Sequence, residues 1–550
     1  MPYSDLQSFL HDLEARGQLQ RVPAEVNPIL EISAIAVRVS KMPAAGDAPP
    51  PETDPVHGRR GGHAMLFEKV TGSEFPVAIN TFGSYERMRI ALGVSDFEEL
   101  ADRVQQLVKP EMPTTLLEKM KKLPQLAKLA GMGPKVVKRG MCQEVVHTDD
   151  ADLLDLPIIQ CWPHDGEPGY GGKPKDEPRS MEESRMEDEG GRPLDPGAAE
   201  SPLRSDHRPS TIDESIGTGR YITFAGIHTK DPETGQYNVG MYRVQVYGPK
   251  LAAMHWHMHH DGARHFRMYR RRGEKMPLAI VLGGEPVLPY AATCPLPPDM
   301  SELLFAGFLN DGGIELVPCK SIPIDVPCNA EIVIEGWVDL EQTLWEGPFG
   351  DHTGFYSLAD RYPAFHVTAI THRRNPVYPT TIVGPPPQED YYLGKATERI
   401  FLPLLRMLIP DIVDYHLPMF GAFHNCVFVK IRKEYPMQAR KVMSSIWGAG
   451  QMMFSKMIVV VDEHVNVHDE QDVWFHMGAN VDWRRDTVIV DGPCDILDHS
   501  TPYYGTGGKI GIDATRKISG EGVVRDWPEE LVMGEEVKRR VEERWKEYGL

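Results

Sequence analysis

Apolar residues recur at positions 6, 9, 10 and 13, the spacing of one helix face. Ser4-Asp5-Leu6-Gln7 in front of them reads as a capping box that opens the helix. The pattern then shortens to strand-like runs, Ala64-Met65-Leu66-Phe67 and Pro76-Val77-Ala78-Ile79. Residues 1–125 are therefore expected to form a small α/β unit, with a Pro- and Gly-rich loop over 45–62. From 220 to 375 short β-prone runs dominate, at 221–229, 239–247, 251–259, 278–282, 331–338 and 365–371. Frequent turns between them predict a barrel or sandwich. Residues 376–525 alternate helical segments (393–408, 438–450) with strands (426–431, 457–461, 487–490), which predicts a second α/β unit. Residues 526–550 end in an amphipathic helix with Val537, Val541 and Trp545 on one face. The fold class expected is α+β.

Two stretches break this rhythm. Residues 109–139 are basic, with Lys119, Lys121, Lys122, Lys128, Lys135, Lys138 and Arg139, and read as a solvated helical linker. Residues 166–218 are rich in Gly, Pro, Glu, Asp and Arg and nearly free of large apolar side chains. Such composition cannot bury enough surface to offset chain entropy, so this is expected to be a surface insertion.

With 550 residues the chain is long enough for two or three domains. Its net charge of −20 argues against non-specific nucleic-acid or anionic-membrane binding. The same charge means that an anionic ligand needs local positive help, most economically a divalent cation. Cys142, Cys161, Cys294, Cys319, Cys328, Cys426 and Cys494 include no Cys-x-x-Cys pair, which suits reduced thiols in a cytoplasm. No apolar run reaches the roughly 18 residues that span a bilayer, and the N-terminus lacks a basic-then-apolar leader. A cytoplasmic protein without integral membrane segments is expected.

The most telling chemistry lies at Glu346-Gly347-Pro348-Phe349-Gly350-Asp351. Five residues apart, the two carboxylates point apart on a helix and to opposite faces of a strand. Only a tight turn lets both enter one pocket, and Gly347, Pro348 and Gly350 are turn formers. Paired acids in one pocket are equipment for proton transfer. About a hundred residues upstream stand Asn238-Val-Gly-Met-Tyr-Arg243 and Met254-His255-Trp256-His257-Met258-His259-His260, followed by Ser301-Glu302. Arg243 can bind a carboxylate with two parallel hydrogen bonds and keeps its charge. A regular strand would turn Asn238 and Arg243 to opposite faces, so the backbone must bend or bulge between them. If 251–259 is one strand, His255, His257 and His259 share a face and could form a zinc site. There is no Gly-x-Gly-x-x-Gly fingerprint and no Walker sequence.

In this order and spacing the motifs resemble the UbiD family of decarboxylases. The similarity runs from Tyr3-Ser4-Asp5-Leu6 to Gly511-Ile512-Asp513-Ala514-Thr515. The resemblance implies a flavin-reductase-like split β-barrel over 126–375 that binds prenylated FMN, and a C-terminal α/β oligomerisation domain over 376–525. It implies a homo-oligomer, dimer or hexamer, and a flavin prenyltransferase that supplies the cofactor. Asn238, His259 and Glu302 match the family's metal ligands, a mostly hard set suited to Mn2+ or Mg2+, with K+ a further candidate ion. Met241, Tyr242, Arg243, His255, Trp256, His257 and His260 are expected around the flavin. His260 departs from the Arg or Lys that members often carry there. Lys395 and Lys430 are further candidates for the phosphate. Arg243 and Glu346 are expected to organise the substrate carboxylate. Asp351, beside a second carboxylate in an apolar pocket, is expected to stay protonated and donate the proton.

The implied substrate is an aromatic or α,β-unsaturated acid. Val239–Arg243 and Lys395-Ala396-Thr397-Glu398 look closest to the quinone-biosynthesis branch, which points to 3-polyprenyl-4-hydroxybenzoate or menaquinone precursors. The competing enzyme class is a flavin-reductase-like oxidoreductase using unmodified FMN, which would leave the paired acids and Arg243 unexplained. A scaffold with a degenerate site is disfavoured because all six expected polar positions are filled.

Overall fold

The computed structural model describes residues 3–46, 49–108, 131–167, 218–257, 260–296, 300–501 and 505–549. Most of the basic linker, the 168–217 part of the insertion and His259 lie outside these residues.

The first helix, Leu6–Ala15, buries Leu6, Phe9, Leu10 and Leu13 as their spacing predicts. Its capping box is shifted by one position from Ser4 and Gln7. Asp5 accepts from the Ser8 backbone N–H at 2.8 Å, and the Asp5 N–H donates to Ser8 Oγ at 3.3 Å. An anionic cap at the positive end of the helix dipole wins over the neighbouring hydroxyl. Behind the helix lies a four-stranded sheet in the order Leu19–Val26, Ala64–Val70, Val77–Ile79, Tyr378–Thr380. Its last strand arrives from beyond the central unit and runs parallel to Val77–Ile79.

The central sheet follows the order Tyr221–Ile222, Val244–Gly248, Leu251–Met254, Asp360–His372, Ile332–Glu346, Met276–Leu282, Gly226–Lys230, Tyr237–Met241, with Val145–His147 paired to Asp360–His372. The expected 239–247 strand is thus two strands, six places apart in the sheet, joined by Tyr242 and Arg243 alone. Laid flat, six strand spacings would separate them by about 29 Å, whereas a two-residue link reaches about 11 Å. The sheet must therefore curl until its ends meet, and the bend required between Asn238 and Arg243 is the seam of that curl. Alternating and fully apolar runs inside it, such as all seven residues of Met276–Leu282, are buried. A helix not expected from the sequence, Asp261–Arg272, packs against the sheet through Ala263, Phe266 and Tyr269.

The C-terminal sheet has the order Ile412–His416, Cys426–Ile431, Met457–Asp462, Thr506–Asp513, Thr487–Pro493. The helix Glu389–Leu408 connects it to the rest and packs against Phe97–Val108 of the N-terminal unit. The terminal helix, Glu535–Glu543, is shorter than expected and buries no residue. Among the described residues no helix is long and apolar enough to cross a membrane, and all seven cysteines are free.

Candidate active site

Glu346 is the last residue of the Ile332–Glu346 strand, and the 347–351 turn folds back so that Asp351 faces the same guanidinium. Arg243 sits at the seam. Its Nε donates to Glu346 Oε1 at 2.7 Å and its Nη2 to Glu346 Oε2 at 3.0 Å, a two-bond fork. Nη1 donates to Asp351 Oδ2 at 2.6 Å, and Nη2 also to Ser357 Oγ at 3.0 Å. The guanidinium lies over the Phe349 ring, 4.6 Å from its centroid. Glu346 is fully buried and Asp351 nearly so.

The turn is held from outside by Asp165, whose carboxylate accepts from the Gly350 N–H and from the Trp162 N–H, each at 2.8 Å. Burial pushes Asp165 up to about 7 against those bonds. A Cβ on Gly350 would run into the Trp162 indole, and Gly347 has φ of +90°, so two glycines of the motif are needed for space and for backbone conformation. Asp165 and Ser357 were not recognised as site residues from sequence. Asp165 stands in the Trp162-Pro163-His164-Asp165-Gly166 turn, a composition that signals a turn but not its target. Ser357 carries no signal at all.

Burial works to raise Glu346, but the charge of Arg243 and the hydrogen bond of His255 outweigh it and bring it down to about 2. Asp351 is likewise lowered, because the His352 hydrogen bond and the charges of His352 and Arg243 outweigh its burial. The expectation of a protonated Asp351 is therefore corrected for this state: its pocket contains two cations besides the second carboxylate. His352 Nδ1 and its own N–H both reach Asp351 Oδ1, at 2.9 and 2.8 Å. Against burial, Asp351 lifts His352 to about 9.

The strand expected over 251–259 ends at Met254, which dissolves the reason for a three-imidazole row on one strand face. His255 and His257 nevertheless meet in the following loop. His255 Nδ1 lies 2.7 Å from Glu346 Oε2, and because that ionised carboxylate can only accept, Nδ1 carries the proton. Burial and the charge of Arg243 push His255 down, so its Nε2 is an acceptor and His257 Nε2, 2.8 Å away, donates to it. His257 stacks on His260 at 4.6 Å and His260 on Tyr242 at 4.8 Å. Gly240 and Gly262 leave the room that the Tyr242 ring occupies. Trp256 turns into the core against Phe266, with its Nε1 buried and without a hydrogen-bond partner among the described residues. Met241 is half-buried at the strand end, bonded through its N–H to Ala292.

Asn238 and Glu302 line one narrow cleft with Asp231, Asp261, Arg264 and His265. Ser301 caps the helix Glu302–Leu309, which fixes Glu302 in its first turn. Glu302 Oε2 accepts from Val239 N–H at 2.8 Å, yet burial pushes its carboxyl up to about 7. The amide nitrogen of Asn238 is turned to Thr229 Oγ1 at 3.3 Å, which leaves its oxygen as a ligand. A buried carboxylate short of counter-charge beside an amide oxygen fits a hard divalent cation. Lys395 is not placed to serve a phosphate: it is buried and bonded to Glu398 and His416.

Family models match the chain in three segments. They are the N-terminal domain of 3-octaprenyl-4-hydroxybenzoate carboxy-lyase over residues 10–107, its Rift-related domain over 216–386 and its C-terminal domain over 391–514. An uncharacterized protein of Aquifex aeolicus is 45% identical over 549 residues, 100% of this chain and 99% of that protein. One of Archaeoglobus fulgidus is 41% identical over 550 residues, with 100% and 99% covered. Among solved structures, the vanillic acid decarboxylase of Sedimentibacter hydroxybenzoicus in closed form superposes with a TM-score of 0.75 at 25% identity, covering 99% of both chains. The UbiD-class enzyme HmfF from Pelotomaculum thermopropionicum, in complex with FMN, gives 0.68 at 26% identity over 95% of this chain and 97% of that one.

Proposed function

We propose that this chain, which belongs to the UbiD family, is a carboxy-lyase that reversibly and non-oxidatively decarboxylates an aromatic or α,β-unsaturated acid. The observation that carries the reading is Arg243, locked by Glu346 along one edge and bonded to Asp351 along the other. A substrate carboxylate competes with Asp351 for Nη1. Once displaced from the guanidinium in a buried pocket, Asp351 loses the Arg243 charge, one of the influences that hold it ionised beside His352, and its affinity for a proton rises. It then stands beside the reacting carbon with that proton while Glu346 and His255 keep Arg243 in place. Ser357 and the Phe349 face fix the guanidinium plane.

Prenylated FMN, when bound, supplies the electron sink that departure of CO2 from an sp2 carbon requires and that no side chain offers. Asn238, His259 and Glu302 would hold Mn2+ or Mg2+ against its phosphate, with Met241, Tyr242, His255, His257 and His260 around the ring system. A homologue solved with FMN supports a flavin. The name carried by the matching family models supports a quinone precursor as the substrate class. A cytoplasmic homo-oligomer loaded by a flavin prenyltransferase completes the reading. The oxidoreductase alternative gives Arg243, Glu346 and Asp351 no task. The test is the absorption spectrum and intact mass of the flavin that copurifies. A mass above FMN by the added prenyl ring is expected. Unmodified FMN that a nicotinamide donor reduces would overturn the proposal.

A further inference from the structure

Away from Arg243, a carboxylate and two imidazoles converge in the C-terminal unit. Glu398 lies on the Glu389–Leu408 helix, His416 ends the strand Ile412–His416, and His468 precedes the helix Glu470–Asn480. All three are buried, and their ligand atoms lie within 4.8 Å of one another.

The hydrogen bonds around them assign the protons. Asp414 is held ionised, because His468 and Arg399 outweigh its burial. His468 Nε2 lies 2.9 Å from Asp414 Oδ2, an ionised carboxylate that only accepts, and 3.3 Å from Arg399 Nη1, which only donates; the shorter contact, to Asp414, puts a proton on Nε2, and a neutral ring then has its lone pair on Nδ1. Burial and the Lys395 charge push His416 far down, and its Nδ1 accepts from the Lys395 ammonium at 2.9 Å. His468 Nδ1 lies 3.2 Å from His416 Nδ1, whose single lone pair is engaged by Lys395. Two imidazole ligands of a tetrahedral ion at 2.0–2.1 Å stand about 3.3 Å apart. Lys395 also bonds Glu398 Oε2 at 2.6 Å. Glu398 Oε1, however, is buried and has no hydrogen bond among the described residues, with Arg399 Nη1 in a longer ion pair at 3.6 Å.

We propose that Glu398, His416 and His468 form a second metal site, for a borderline divalent ion such as Zn2+, with Lys395 as the cation that the metal displaces. Two imidazoles and one carboxylate select such an ion over Mg2+ or Ca2+, in contrast to the Asn238–Glu302 cleft. The Asp414–His468 bond is the carboxylate–imidazole arrangement that fixes a metal-binding tautomer. The ion would pin a helix, a strand end and a loop together, and the site stands independently of the decarboxylase reading.

The test is a titration of chelator-treated, full-length protein with Co2+, whose visible spectrum reports tetrahedral coordination. Glu302→Gln removes the other proposed site. That variant is expected to take up one equivalent with a tetrahedral spectrum, and the wild type two. His468→Gln and Asp414→Asn, each introduced into it, should weaken uptake by about 10–100-fold. Lys395→Met should strengthen uptake by removing the competing ammonium. A doubly protonated His468, donating to both Asp414 and His416, would instead give no uptake. No retention at tens of micromolar, a purely octahedral spectrum, or binding unchanged by His468→Gln overturns the proposal. Should the added substitutions prevent folding, the wild-type and Glu302→Gln titrations decide it alone.

Discussion

Replacing Glu346 by Gln keeps the shape of the side chain and removes its charge. A carboxyl group held at about 2 instead of its ordinary 4.5 contributes about 3 kcal/mol at neutral pH. Because the folded value is the lower one, this contribution is complete above pH 4.5 and disappears as pH falls through about 2. Breaking a buried pair by removing one partner costs about 3–5 kcal/mol, a figure of the same size. For a unit of some 150–250 residues this corresponds to about 6–12 °C in melting temperature. The assay follows the central unit by thermal melting of wild type and Glu346→Gln from pH 7 down to pH 2. A gap of that size at pH 7 that narrows steadily below pH 4.5 is expected. Turnover, measured at a temperature where both proteins are folded, should fall by at least about a hundredfold with flavin still bound, the scale of general acid–base groups. A gap under 2 °C at pH 7, or one that does not narrow in acid, would refute the electrostatic account of Arg243 and Glu346.

Asp351→Asn should lower turnover by about 10²–10⁴-fold and suppress solvent-deuterium exchange at the carbon that loses CO2; near-normal exchange would remove it as proton donor. Glu302→Gln should lower copurifying flavin and manganese together, read by absorbance and elemental analysis, and full occupancy of both would discard the metal assignment. Gly350→Ala forces a methyl group into the Trp162 indole, so it should shift the turn and cost activity before it costs folding. Activity equal to wild type would show that the turn tolerates the displacement.

How much of this was legible in the sequence depends on whether the signal is local. The strand Cys426–Ile431 was predicted with the bounds it has, because six apolar-rich residues between turns need no partner to be recognised. The convergence of Glu346 and Asp351 followed from the turn residues between them. Strand order did not follow, since hydrophobic pattern says that a run is buried and not beside what. The single run at 239–247 concealed the seam for that reason: Tyr242 and Arg243 look like strand residues, and only the sheet order shows them crossing between its ends. The helix Asp261–Arg272 was obscured by its charge, although Ala263, Phe266 and Tyr269 keep a three-residue spacing and Gly273 closes it in the left-handed region. The state of Asp351 was misjudged because a neighbouring carboxylate stands out in the motif, whereas the pull of the adjacent His352 depends on a side-chain orientation that the motif does not show, and the Arg243 charge is folded in from a hundred residues away.

The strand Tyr378–Thr380 has a consequence for how the protein is made. Val77, Ala78 and Ile79 are all buried in the finished molecule, with one side of their strand covered by that late arrival. On the ribosome the covering segment follows about 300 residues later, which at about 5–20 residues per second is about 15–60 s. Throughout that interval the nascent N-terminal unit carries an apolar strand edge open to any other chain. Fragments that stop before residue 380 should therefore be sticky and chaperone-bound however well their own helices form, and a unit translated ahead of the central sheet is finished only after it.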